Sequence, residues 1–312
     1  MSTQLHRHAA RLSITLALAV FATASPAQST APQGPTVPGL SYTIRASAGP
    51  SSGSGMMGAV GVGSQNYTGR AVVAGDRGRM DITDGGVESL FTKGDYILFD
   101  TTELVIVHPA TKDFVVLRHD VASQGLARLE SMGLKMAVSD VKVTLDSIGA
   151  GDTVAGIPTR HYRMTTAFNL SIDAGFMQQG LGTESLTDYW VANVPGLPTN
   201  PLLRVNGISS PSAAMTGLFA DLSARVDSAA RRLGSAVALK TVTVSHMNRG
   251  PGTSTTTRQE SDVSDIRHQD VDESLLLLPA GYKQGSLPGT DQTPMTDDGA
   301  KWRTLPRARP GR

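Results

Sequence analysis

From Tyr162 to Ile172 the sequence alternates without a break. One parity reads Tyr162, Met164, Thr166, Phe168, Leu170, Ile172; the other reads Arg163, Thr165, Ala167, Asn169, Ser171. On a helix this period would scatter the apolar side chains round the wheel. On a strand it places them on one face and the polar ones on the other. A strand of this length with one dry and one wet side requires a broad, mostly antiparallel sheet.

A second stretch, Gly94–Leu117, is the densest in strand formers. Its apolar runs Tyr96–Phe99, Leu104–Val107 and Phe114–Leu117 are parted by Asp100-Thr-Thr-Glu103 and by the turn from His108 to Asp113. Short β-branched and aromatic runs between turn formers predict a three-stranded meander, expected here in the middle of the sheet. Leu40–Ile44 starts the first strand. Tyr67–Ala74 and Arg77–Ile82 pair about Gly75-Asp76, and Asp84-Gly85-Gly86 is a second turn signal. Val141, Val143 and Leu145 alternate with polar neighbours, Asp152–Pro158 is a turn region, and Ser185–Val194 is another strand. Val237–Met247 and Thr253–Ile266 pair around Asn248–Gly252, and a short helical turn is expected within Asp270–Leu278. Gly49–Ser64, rich in Gly and Ser, is a long loop or a weak hairpin.

Two segments change period. Ala122, Leu126, Leu129, Met132 and Met136 recur at three and four, predicting a helix over 121–137. Met215, Leu218/Phe219, Leu222, Val226, Ala229/Ala230 and Leu233 predict a second of about five turns, started at Pro211-Ser212 and stopped at Gly234. The expected fold is therefore α+β: about ten antiparallel strands with two amphipathic helices as the cover for the apolar face.

Residues 1–27 read as a signal peptide. Arg7 and Arg11 precede the apolar run Leu12–Ala24, and Ser25-Pro-Ala27 supplies small residues for cleavage. The run is too short to span a bilayer, and no later stretch is long and apolar enough, so the protein is expected not to be membrane-spanning. Cleavage leaves 26 basic against 27 acidic residues, a net charge of −1, which argues against nucleic acid as a partner. Without a single cysteine there are no disulfides, thiol chemistry, cysteine-bound metals or acylation site of a bacterial lipoprotein. The expected location is the periplasm or the medium. Residues 28–38 read as a flexible spacer, 39–283 as the folded domain, and 284–312 as a disordered tail rich in Pro, Gly, Thr and Arg.

Motifs of chemistry fail on context. Gly53-Ser-Gly55-Met-Met-Gly58 fits a dinucleotide fingerprint and Gly49-Pro-Ser51-Ser-Gly53 a nucleophile elbow, but no helix follows either. His108, His119, His161, His246 and His268 lack metal-ligand spacing. No cofactor or catalytic residue is assigned, and the protein is expected to be non-enzymatic.

Phe99-Asp100, Val105-Ile-Val-His108-Pro109 and Lys112-Asp113-Phe114 resemble the meander of LolA-type lipoprotein carriers and their LolB-like relatives. Gly78-Arg-Met-Asp81, Val154–Tyr162, Asp188-Tyr-Trp-Val191 and Leu278-Pro-Ala-Gly-Tyr282 resemble exported bacterial domains of unknown function in that superfamily. The resemblance spans about residues 40–283. It implies a curved antiparallel sheet, an open half-barrel, with the helices across its concave face and an apolar cavity between. The cavity side chains expected on this basis are Tyr162, Met164, Phe168 and Leu170 on the strand, with Met215, Phe219 and Leu222 on the helix. The ligand would be a lipid, acyl chain or lipoprotein. The alternative is an envelope interaction or sensor module whose core is filled and ligand-free.

Overall fold

The computed structural model describes residues 35–49, 66–87, 90–100, 103–118, 135–173, 175, 178–195, 220–234, 236–248, 254–285 and 300–304. These residues form one sheet of thirteen strands: β1 (Thr36–Ala48), β2 (Asn66–Ala74), β3 (Arg77–Val87), β4 (Phe91–Thr92), β5 (Tyr96–Phe99), β6 (Glu103–His108), β7 (Asp113–Arg118), β8 (Lys135–Val154), β9 (Ile157–Asp173), β10 (Gln178–Ala192), β11 (Val237–Asn248), β12 (Ser254–Asp272) and β13 (Lys283–Gln284). The order is β13-β7-β6-β5-β3-β2-β1-β12-β11-β10-β9-β8, with β4 hydrogen-bonded to β3. Two antiparallel meanders, β2–β7 and β8–β12, are joined by β1, which pairs with β2 on one side and β12 on the other. β13 runs parallel to β7. The end strands do not pair, so the sheet is open.

The expectation of an α+β fold with two helices across one face is overturned. Among the described residues there is one α-helix, α1 (Ala220–Arg231), of twelve residues. Of the helix expected at 121–137, residues 121–134 lie outside the described residues. Lys135–Ala137 belong to β8, which pairs with β9 from Lys135↔Asp173 to Val154↔Ile157. Their backbone groups are committed to that ladder, which overrides the spacing of Met132 and Met136. α1 covers only part of the second predicted helix. Asp221 stands in its first turn and Arg231 in its last, complementing the helix dipole. Asp221 also pairs with Arg225 at i,i+4, 3.0 Å apart. The chain leaves the helix at Gly234, whose φ of +63° suits a residue without Cβ.

Two further expectations are corrected. The meander at 94–117 forms as β5, β6 and β7 but lies toward one end of the sheet, not in its middle. Asp84-Gly85-Gly86 does not turn the chain; it continues β3 beside β2. Gly85 has φ +68°, and a Cβ there would collide with the Asn66 backbone, so glycine permits close approach inside a strand. The short helical turn expected near Asp270 is present as Glu273–Leu276, capped by Asp272, which accepts from Ser274 N.

The main core lies on one face, here the core face. It runs from Leu40, Tyr42 and Ile44 on β1 through Val73, Met80, Phe99 and Ile106 to Leu239 and Val263. At β5–β7 the opposite face is buried as well, by Tyr96, Leu98, Val105, Val107, Phe114 and Val116 under Leu278 and Trp302. Trp302 belongs to the segment expected to be a tail. No helix among the described residues is long and apolar enough to cross a membrane.

Candidate functional site

The one-sided strand foreseen at Tyr162–Ile172 is part of β9, between β8 and β10. Its apolar parity faces the same side as the main core. Phe168, Leu170 and Ile172 pack with Val138, Val141 and Val143 of β8 and Leu181 of β10, beneath Leu222 and Val226 of α1. Leu222 and Val226 are one helical turn apart, so a single stripe of α1 meets the sheet. Burying Leu222 contributes roughly 1.5–3 kcal/mol to holding the helix there.

Of the seven predicted cavity residues, the structure brings Phe168, Leu170 and Leu222 together in this cluster. Met164 lies on the same face, buried opposite Leu145 and Thr187. Tyr162 is half-buried opposite Tyr189. Met215 and Phe219 fall outside the described residues.

Beyond β9 the core face changes character. On β10–β12 it carries a ladder of hydroxyls: Ser185 with Ser245 at 2.8 Å, Thr187 with Thr243 at 3.1 Å, and Thr241 with Ser261 at 2.7 Å. Tyr189 stands beside them; burial pushes its phenol pKa up, opposed by a hydrogen bond with Thr187. Over Val141–Leu145, Tyr162–Ile172, Leu181–Tyr189, Thr241–Met247 and Thr255–Ser261, every charged residue and every histidine has the other parity. The result is an uncharged surface, apolar under α1 and hydroxylated alongside. Phe168, Thr166, Ser185, Thr187 and Thr243 on it are only half-buried. Chemically it can bury hydrocarbon and offer neutral donors and acceptors.

The opposite face holds a cluster that the sequence presents only as a wet parity. His161 Nε2–H donates to Asp188 Oδ1 at 2.8 Å, and Arg163 donates to both carboxylate oxygens of Asp188 at 2.9 and 3.1 Å. Burial works against the Asp188 charge. The hydrogen bonds from Arg163 and His161, with their Coulombic pull, outweigh it and hold the carboxyl below its ordinary range. The His161 ring stacks on Trp190 at 4.7 Å, and Lys240 Nζ lies 5.3 Å from the centre of the Trp190 ring. Lys240 pairs with Glu260 at 3.0 Å, and that hydrogen bond, with Arg258 beside it, lowers the Glu260 pKa against a smaller effect of burial. Charges here neutralise one another across β9–β12 as an ion-pair ladder. The signal for it lay in the second parity, Arg163 with His161 two residues before, but its partner Asp188 is 25 residues away from Arg163. Likewise His108 Nδ1 lies 3.1 Å from Asp95 Oδ2, a pairing no local spacing announces.

No protein-family model matches the chain, and no curated protein sequence matches it. Among solved structures, the crystal structure of an uncharacterized conserved protein from Thermus thermophilus is similar at a TM-score of 0.33 and 8% identity, over 80% of this chain and 90% of that one. A likeness of that extent carries no argument about function.

Proposed function

We propose that this is a non-enzymatic protein of the periplasm or medium that binds an apolar chain (a lipid, an acyl chain or a lipoprotein) on the core face of β8–β10 beside α1. One observation carries the reading: this face is free of charge over five strands, yet only half-buried where Phe168 meets the hydroxyl ladder. Hydrocarbon laid on it would gain about 25 cal/mol for each Å² removed from water, while a neutral polar group at its end would meet Ser185, Thr187, Thr243 and Ser245. A charged headgroup finds no counter-ion on that surface and would be left at the rim. The resemblance to LolA-type carriers supports the same ligand class.

The full chain, purified from an envelope extract, is expected to carry lipid adducts in native mass spectrometry and to melt higher when lipid is added. Phe168→Asp should abolish both effects while leaving the far-UV spectrum intact. Absence of adducts together with an unchanged Tm would overturn the proposal.

A second reading, an interaction or sensor module with a filled core, draws on Met164, Leu170 and Leu222, which the chain's own side chains already bury. It expects no lipid adduct and no effect of Phe168→Asp on any lipid response, so the same measurements separate the two.

A further inference from the structure

Ala300–Trp302 form a single 3-10 turn, and Lys301–Thr304 meet the sheet without joining it as a strand. Trp302 is 0% exposed and sits on the β5–β7 face opposite the main core, among Leu98, Val105, Phe114 and Leu278. Its indole Nε1–H donates to Glu103 Oε1 at 2.6 Å, and its carbonyl accepts from Leu278 N at 2.7 Å. Arg77, itself buried, lies over the indole at 5.1 Å. It donates Nη2 to the Lys301 carbonyl at 2.9 Å and Nη1 to the Thr304 carbonyl at 3.1 Å. Lys301 Nζ bonds to Asp100 and lies 3.5 Å from Glu103; Arg303 Nη2 donates to the Tyr282 carbonyl at 3.2 Å.

These are the contacts of a bound peptide. An aromatic anchor fills a desolvated pocket, three main-chain carbonyls are held by donors from outside the segment, and a flanking cation meets two nearly buried carboxylates. Asp100 and Glu103 are set for this by the β5–β6 turn, where Asp100 Oδ1 accepts from Glu103 N at 3.0 Å. We infer that Arg77, Asp100 and Glu103 with the β5–β7 face form a peptide-recognition socket, specific for tryptophan flanked by basic residues, and that Lys301–Thr304 of this chain occupy it as a separable ligand. The socket lies on the sheet face and strands away from α1, so it stands or falls apart from lipid binding.

The test uses the full chain with a protease site placed among residues 286–299 and cut after folding. The nicked protein is challenged with a fluorescent peptide of residues 299–306. The expected result is an unchanged circular dichroism spectrum, saturable exchange of the cut fragment for the labelled peptide, and no uptake by uncut protein. A peptide carrying Trp302→Ala should compete roughly thirtyfold less well or worse. Unfolding on nicking, a fragment that resists both dilution and excess peptide, or equal exchange by the Trp302→Ala peptide would each overturn the inference.

Discussion

The two ends of the sheet solve burial differently. At the β5–β7 end the strands are four to six residues long and both faces are dry, one against the main core and the other against Leu278 and Trp302. At the β8–β10 end the strands run to fifteen to twenty residues. There one face carries the apolar cluster under α1 and the other carries the Arg163–Asp188–His161 ladder. Two-sided burial makes a short strand rigid and sealed. One-sided burial leaves a long strand held by its neighbours and by whatever lies on its dry side.

The sharpest way to break this comparison is to cut the same side chain at each end. Phe114 is 1% exposed within the doubly buried layer, so Phe114→Ala should cost about 3–5 kcal/mol, transfer and cavity together. Phe168 is half-buried beside α1, and Phe168→Ala should cost roughly 1–2 kcal/mol, because the side chain is only partly removed from water. Urea denaturation of both variants measures the difference. Equal losses would mean the β8–β10 end is as sealed as the other.

The same contrast decides what can be read in the sequence. β9 is legible because one-sided burial writes an alternation along the chain. β5–β7 are legible as strands, but two-sided burial erases the alternation, and a run dense in apolar residues reads as the sheet's centre when it marks a sealed end. β8 carries Met136 at helical spacing from Met132, and only its register against β9 assigns Lys135–Ala137 to the sheet. Trp302 is illegible, since one tryptophan in a Pro- and Gly-rich stretch has no periodic neighbours, and its partners Arg77, Glu103 and Leu278 lie 24 to 225 residues away. Of the candidate site, the apolar half follows from parity. The hydroxyl ladder does not, because Ser185, Thr187, Thr243 and Ser245 become a surface only when β10 and β11 align.

An effect of intermediate size should appear on the charged face of the longer strands. Asp188→Asn removes the negative charge and one of the two acceptor oxygens that meet Arg163 and His161, and is expected to cost about 1–2 kcal/mol at neutral pH, toward the lower figure given its partial exposure. The folded carboxyl titrates below its ordinary range. The stabilisation is therefore present at pH values above that range and lost as pH falls through the folded value. Denaturation of wild type and variant across pH 2–8 should show curves that are separated at neutral pH and converge in strong acid. Parallel curves would mean that Asp188 gains nothing from its charge in the fold.

The smallest effects test polar satisfaction. On the open half the hydroxyls pair across strands, as Thr187 does with Thr243. In the sealed half the Tyr96 hydroxyl on β5 is buried without a partner among the described residues, and burial pushes its pKa up to about 12. An unpaired buried hydroxyl costs free energy that phenylalanine does not incur, so Tyr96→Phe should be neutral or stabilising by up to about 1 kcal/mol. Thr187→Val alone should destabilise by about 0.5–1.5 kcal/mol, since it strands both Thr243 and the Tyr189 hydroxyl, whereas adding Thr243→Val should recover only the part due to Thr243. A thermal melt series of the four proteins resolves these signs. If Tyr96→Phe proves as costly as Thr187→Val, the sealed half satisfies its polar groups just as the open half does. The two ends would then differ in strand length and charge, but not in how tightly burial constrains them.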